Sequence, residues 1–405
     1  MQLRYSFRVQ PTVGQRKRAA RVFGHARWVW NAGLALQAPV KEANKLLGNP
    51  RKRLAEEPYQ RIPKNQDLSK LLITEAKKGE QSWLSQAPAP VLQQSLRDLD
   101  KAWTAHEDSK SGKRPGTKVE PPRFKSKHDR RQSARFTVNA RFKITPEGRL
   151  RLPNIGDLKV NWTRDLPSAP SSVTLIKDQS GRYWASFVVE TDPADDADTM
   201  PQTTAETGID LGLTHYAILS DGTKIKNPRW LRRAEKKLKK AQRELSRKVK
   251  GSSNRSKARV KVARAHAHVA NARKDWQHKL STKLISENQA ITVETLGVLG
   301  LARGRNAKSV NDAAWGQFVM LLEYKALRYG REVTKVARDF PSTQVCSACG
   351  HRPPEKLALH VREWTCLNCE THHDRDHNAA KNLHYEGRRI RAAAHTPEDV
   401  PALTG

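Results

Sequence analysis

The chain contains four cysteines, all between residues 346 and 369. Cys346-x-x-Cys349 and Cys366-x-x-Cys369, separated by sixteen residues, have the spacing of a four-thiolate zinc site. Each pair can form one knuckle. Four soft sulfur ligands leave no open coordination position, so such a metal would be structural, because catalytic zinc normally keeps a water. The plainer alternative is four free thiols. A segment this short buries little apolar surface, and a bound metal would supply most of its folding free energy.

Three acids suggest a second kind of site. Asp210 sits inside GIDLG, where Ile209 and Leu211 take the opposite face of a strand, fixing the carboxylate on one side of a sheet. Glu294 ends the strand ITVE, and Asp376 opens a helix in HDRDHNAA, whose alanines permit close packing. Gathered together, such carboxylates would suit magnesium, which takes oxygen ligands and keeps several waters. Two magnesium ions roughly 4 Å apart activate a water, align it with a phosphodiester and stabilise the leaving oxygen. Spacing alone leaves the matter open, because an isolated aspartate on a strand is often salt-bridged or capping instead.

These residues need elements to carry them. MQLRYSFRVQ alternates with a strand's period, and Ala19, Val22, Ala26, Val29 and Gly33 recur with a helix's, which predicts a helix over 14–37. After Pro90, Leu92, Leu96, Leu99 and Trp103 form one helical face, so residues 12–107 read as a helical lobe. Residues 108–132 are a basic, Gly- and Pro-rich connector placed to touch phosphate. Short runs from ARFTV to RYWASFVVET then predict an antiparallel sheet or small barrel that the first strand completes, ending in the polar stretch 192–206. From Thr207, strands alternate with helices as in an α/β core. Asp221-Gly222 makes a hairpin turn there. NDAAWGQFVMLLEYKALRYG reads as one helix, DRDHNAAKNLHYEGRRIRAAA as the last one, and the C-terminal residues as a frayed tail.

Charge narrows the partners. With 75 Lys+Arg against 41 Asp+Glu, the net charge of +34 calls for a polyanion. Between Arg229 and Lys274 lie 18 basic and two acidic residues, beside apolar stripes of Leu231, Leu238, Leu245 and Val249, then Val262, Ala265, Val269, Ala272 and Trp276. The stripes alone suit a packed helical hairpin; the charge density asks for phosphates. No segment has the roughly 18 apolar residues of a membrane span, no signal peptide is apparent, and the confined cysteines fit a reducing cytoplasm.

At this point the motifs fit a family. YSFRVQPT with GHARWVWNAGL, LQQSLRDLDKAW, PPRFKSK, GIDLG, VETLGVLG, AAWGQF with LEYKA, FPSTQVCSACG and REWTCLNCETHHDRDHNAAKNL occur in the order expected of TnpB (OrfB). The chain therefore resembles this family of transposon-encoded, RNA-guided endonucleases related to type V CRISPR effectors. The resemblance implies a multidomain α+β protein. Its parts would be a wedge β-barrel (1–11 and 108–200), a helical recognition lobe (12–107), a RuvC-like nuclease of RNase H fold (201–342 and 371–395), a zinc ribbon (343–370) and a flexible tail (396–405). It also implies that Asp210, Glu294 and Asp376 are catalytic and hold Mg2+, that Cys346, Cys349, Cys366 and Cys369 hold Zn2+, and that the partners are a guide RNA from the transposon end and double-stranded target DNA. Base pairing would read the target while the protein reads heteroduplex shape and a short flanking motif. Gln93 and Thr137 match positions that contact this motif; a glutamine can read adenine through paired hydrogen bonds. Arg123, Lys125, Lys127, Arg232, Lys236 and Lys240 are expected to contact nucleic-acid backbone. The chain departs from the family at Glu370, where Gly is frequent after the second CxxC, and near residues 38–66.

Other classes compete: an RNA-guided repressor that does not cut, a strand-joining transposase, and a zinc-ribbon RNA-binding protein with an inert α/β domain. The three acids argue against the first, and the second lacks a separate end-binding domain.

Overall fold

A computed structural model of the protein describes residues 1–46, 61–129, 131–192, 200–355, 357–358 and 360–395. The expected tail at 396–405 and much of the divergent stretch near 38–66 lie outside these. The chain divides into two compact units, 2–191 and 192–405.

In the first unit, β1 (Gln2–Gln10) is central to an antiparallel sheet with β2 (Gln132–Thr137), β3 (Lys143–Ile144), β4 (Arg149–Leu152), β5 (Gly156–Asn161), β6 (Ser172–Lys177) and β7 (Tyr183–Glu190). The strand order is β2-β6-β7-β1-β5-β4-β3. Leu3, Tyr5, Phe7 and Val9 point inward, and Phe7 lies 4.7 Å from Trp162 and 6.0 Å from Phe187, centroid to centroid. The first strand joins this sheet, as its alternation predicts. The ladder does not close into a barrel, however, because β2 and β3 are its two edges. The turn at Val138–Ala140 and the left-handed Arg141 redirect the chain between them, and β3 is only two exposed residues long. Helix α1 (Val13–Leu46) outruns its predicted end, and α2 (Ala89–Lys110) begins beside Pro90. They pack closely at Gly33, where a Cβ would lie 3.0 Å from a methyl of Leu96.

In the second unit, β8 (Glu206–Leu211), β9 (His215–Leu219), β10 (Lys224–Lys226), β11 (Ala290–Glu294) and β12 (Glu332–Val336) form a sheet of order β10-β9-β8-β11-β12. The first three run antiparallel, while β11 is parallel to both β8 and β12. The basic stretch becomes the paired helices α3 (Trp230–Ser246) and α4 (Ser253–Glu287). Leu238 and Val269 of the predicted stripes are buried, but Val249 lies beyond the end of α3 and is 76% exposed.

The run predicted as one helix after Asn311 is two, α5 (Ala307–Ala313) and α6 (Trp315–Arg328), broken at Ala314 with φ +51°. Gln277 of α4 holds that break by donating to the carbonyls of Ala313 and Ala314. The hairpin β13 (Glu363–Thr365) and β14 (His372–Asp374) leads into α7 (Arg375–His395). Among the described residues, no helix is long and apolar enough to cross a membrane.

Candidate active site and metal cluster

Register brings the first two acids together. Ile209 of β8 lies opposite Val293 of β11 in a parallel pair, so Asp210 and Glu294 are the next residues along adjacent strands. Side chains in step on neighbouring strands leave the same face, with the strands about 4.8 Å apart. Gly208 shares that face with Asp210, two residues on. Helix α7 packs onto it so closely that a Cβ on Gly208 would lie 2.2 Å from the carbonyl oxygen of Ala380. Asp376, one turn before Ala380, is thereby delivered to the strand ends. Its place in the first turn is fixed by Asp374, whose Oδ1 accepts the N–H groups of Asp376 (3.1 Å) and His377 (3.0 Å). Lys224 of β10 binds the other oxygen of Asp374 at 2.6 Å.

The Asp210 carboxyl feels both other acids. Burial, together with the negative charges of Asp376 and Glu294, pushes the Asp210 carboxyl up to about 7, against the pull of Arg375 and Arg362. Burial also raises Glu294, opposed by Arg338. Arg362, from the start of the β13 hairpin, pairs with Asp376 at 3.3 Å. Asp210 and Asp376 line a cleft of about 470 Å³ with Arg229, Arg232, Arg362 and Asp312. Sequence reading did not single out Asp312 or Arg362, because neither stands in a spacing that signals chemistry. Three half-buried acids on adjoining elements offer oxygen donors of the kind a hard cation takes.

The four cysteines come together as their spacing predicts. Their sulfurs all lie within 4.8 Å of one another. Cys346 and Cys369 are 3.6 Å apart and Cys349 and Cys366 3.7 Å apart. A tetrahedron with metal–sulfur bonds of roughly 2.3 Å has edges of about 3.8 Å, so the set fits a single ion. The knuckles repeat one backbone pattern: Gly350 N–H donates to the Cys346 carbonyl and Glu370 N–H to that of Cys366, each at 2.9 Å. Gly350 has φ +74° and Glu370 φ +53°, so the glutamate accepts the left-handed turn and no ligand is lost. Beyond the sulfurs, the buried His373 places Nε2 3.0 Å from Cys346 Sγ, an outer contact that spacing did not suggest. Asn378 and Asn382 of α7 bind the main chain of Ser347, Val345 and Ser342, tying the cluster to the helix that carries Asp376.

The residues expected to meet nucleic acid fall in separate places. Arg232, Lys236 and Lys240 are exposed on one face of α3, with Arg232 at the cleft and donating to Ser309 Oγ. In the other unit, Gln93 is half-buried on α2 and Thr137 ends β2 opposite Ser172. The basic connector is strapped to α1: Trp30 donates to the Arg123 carbonyl, and Asn31 exchanges two hydrogen bonds with the main chain of Lys125. Arg123 and Lys127 remain exposed. Lys125 is exposed as well, and its ammonium lies 3.3 Å from the Trp30 ring centre, a cation–π contact.

Sequence comparison places this geometry. A family model described as probable transposase (OrfB) matches residues 186–305, and one for a Cas12f1-like TNB domain matches 315–383. A protein of Streptomyces pristinaespiralis named as an RNA-guided DNA endonuclease is 40% identical over 384 residues, covering 94% of this chain and 88% of that protein. The chain belongs to the TnpB/OrfB family. Also similar is InsQ of Escherichia coli, likewise named as an RNA-guided DNA endonuclease, 28% identical over 96% of this chain and 93% of that protein. A helix-turn-helix model matches residues 1–45, where this TnpB/OrfB chain has one strand and one unbroken helix. Among solved structures, the Cas12f1-sgRNA-target DNA complex matches in fold with a TM-score of 0.53, at 14% identity, covering 92% of this chain and 82% of that one.

Proposed function

We propose that this protein is an RNA-guided, metal-dependent DNA endonuclease. The observation that carries the proposal is the placement of Asp210 and Glu294 in step on two parallel strands, with Asp376 opening the helix that packs on the same face. Burial first, and then the charges of Asp376 and Glu294, raises the Asp210 carboxyl to about 7. Membership of the TnpB/OrfB family and the names of its relatives support the reading. The order β10-β9-β8-β11-β12, with one antiparallel and one parallel neighbour on β8, is compatible with a RuvC-like nuclease of RNase H fold spanning 201–342 and 371–395. Residues 343–370 would be its zinc ribbon, 12–107 a recognition lobe, and 1–11 with 108–200 the wedge.

In this reading the three acids hold magnesium, which supplies an activated water and charge stabilisation at the scissile phosphate. The chain's own part is to fix the acids on rigid elements, to set Arg229, Arg232 and Arg362 around the cleft for phosphate oxygens, and to hold α7 against the sheet. The cysteine set holds structural zinc. The guide RNA derives from the transposon end and pairs with one target strand beside a short flanking motif, with Gln93 and Thr137 as its readers. Arg123, Lys125, Lys127, Lys236 and Lys240 hold backbones.

The test is to purify the protein with its RNA, sequence that RNA, and supply a plasmid matched to it beside a randomised flank. Cutting should need magnesium and should vanish in Asp210→Ala while target binding persists. Binding without cutting by the wild-type complex in magnesium would favour the repressor reading. Cutting by Asp210→Ala would refute the site.

A further inference from the structure

Helix α3 begins without a cap of its own. The residue before it, Arg229, has φ +51° and makes no side-chain cap, and the first turn holds no acid. The missing acceptor comes from 81 residues away: both oxygens of Asp312 accept the N–H of Leu231, at 2.9 and 3.0 Å. Asp312 is 6% exposed and lines the same cleft as Asp210 and Asp376. A buried carboxylate is costly unless a donor and a positive helix end compensate it, and here both do. Arg273 of α4 secures the segment from the other side, donating to the carbonyls of Asn311 (2.9 Å) and Asp312 (3.3 Å).

What this carboxylate holds is the turn bearing the cleft's two α3-side cations. Arg229 and Arg232 flank Leu231, and both line the cleft. Arg232 also donates to Ser309 Oγ at 3.1 Å, three residues before Asp312 on α5. Residue type, burial and bonding therefore converge on one task. We infer that Asp312 is a positioning residue for the DNA strand: it orients the first turn of α3 so that Arg229 and Arg232 meet the phosphates of a strand lying over the acids. Its own oxygens are turned to the Leu231 N–H at the positive end of α3. The inference rests on the endonuclease reading, for it assumes a phosphodiester in the cleft.

The experiment measures single-turnover cleavage of a guide-matched, labelled duplex by the full ribonucleoprotein, alongside target binding and melting temperature. Loss of a side-chain cap predicts that Asp312→Ala cuts roughly 3- to 30-fold more slowly with target binding unchanged. Asp312→Asn, which keeps one acceptor oxygen, should recover most of that loss. The decisive arm is Arg232→Ala combined with Asp312→Ala. If Asp312 acts through Arg232, the double variant is little slower than Arg232→Ala alone.

Additive losses, no rescue by asparagine, or a wild-type rate in Asp312→Ala would overturn the inference. If Asp312→Ala fails to fold, Asp312→Ser, which stays polar but sets its oxygen back from the Leu231 N–H, is combined with Arg232→Ala for the same comparison. Failure of the endonuclease reading looks different, since the wild-type complex would then not cut at all.

Discussion

Gly208 on β8 and Ala380 on α7 approach so closely that a single added methyl at Gly208 would lie 2.2 Å from the Ala380 carbonyl oxygen and 2.5 Å from the His384 nitrogen. The same helix meets β11 at Gly387, where a Cβ would fall on the Thr292 hydroxyl. Two glycines, one on each partner, thus set the depth at which α7 carries Asp376 to Asp210.

Gly208→Ala should therefore push α7 away from the sheet. The obstacles are backbone atoms, which cannot rotate aside, so a destabilisation of about 1–3 kcal/mol is expected, with a larger loss of cutting than of target binding. Melting curves and parallel cleavage and binding assays check this. Wild-type cleavage would show that the depth of α7 is unimportant.

Asp210 makes a prediction about pH. Its folded carboxyl, at about 7, holds its proton more tightly than the unfolded chain does. Between the ordinary carboxylate range and about pH 7 the folded state binds more protons, so this group lowers stability as pH rises through that window. The metal-free Asp210→Asn variant should accordingly be more stable than wild type at pH 8 by on the order of 1–3 kcal/mol, with the gap closing near pH 4. Magnesium should stabilise wild type at pH 8 more than the variant. Equal stability at both pH values would contradict the electrostatic account.

Glu370 occupies a left-handed turn, which costs a non-glycine residue about 1–2 kcal/mol. Glu370→Gly should raise the stability of the cysteine cluster by about 1 kcal/mol, read as slower metal loss to a chelator. Faster loss would mean that the glutamate side chain supports the knuckle.

Cys366→Ser removes one of four sulfurs from a segment with little core of its own. The variant should lose zinc and melt at a lower temperature, and cutting should fall because the cluster braces α7 through Asn378 and Asn382. An unchanged melting temperature with no bound zinc in the wild type would refute a metal role.

Sequence made legible those features that depend on local period and spacing. Alternation put Ile209 and Leu211 in the core and left Asp210 on the other face, and two CxxC pairs predicted one sulfur cluster. Features that depend on distant partners were not legible. The break at Ala314 is held by Gln277, the cap on α3 comes from Asp312, and the open edge between β2 and β3 follows from a turn that strand propensity does not encode. Lys125 adds to this: its charge is legible in the sequence, and its contact with the Trp30 ring is not.

In the proposed site three carboxylates share one cation, and Mn2+ binding to the zinc-loaded protein, followed by its electron paramagnetic resonance signal, puts that sharing to the test. Asp210→Asn, Glu294→Gln and Asp376→Asn should each weaken Mn2+ binding, by roughly tenfold or more. If all three variants bind Mn2+ as tightly as wild type, the acids do not share an ion and the account fails.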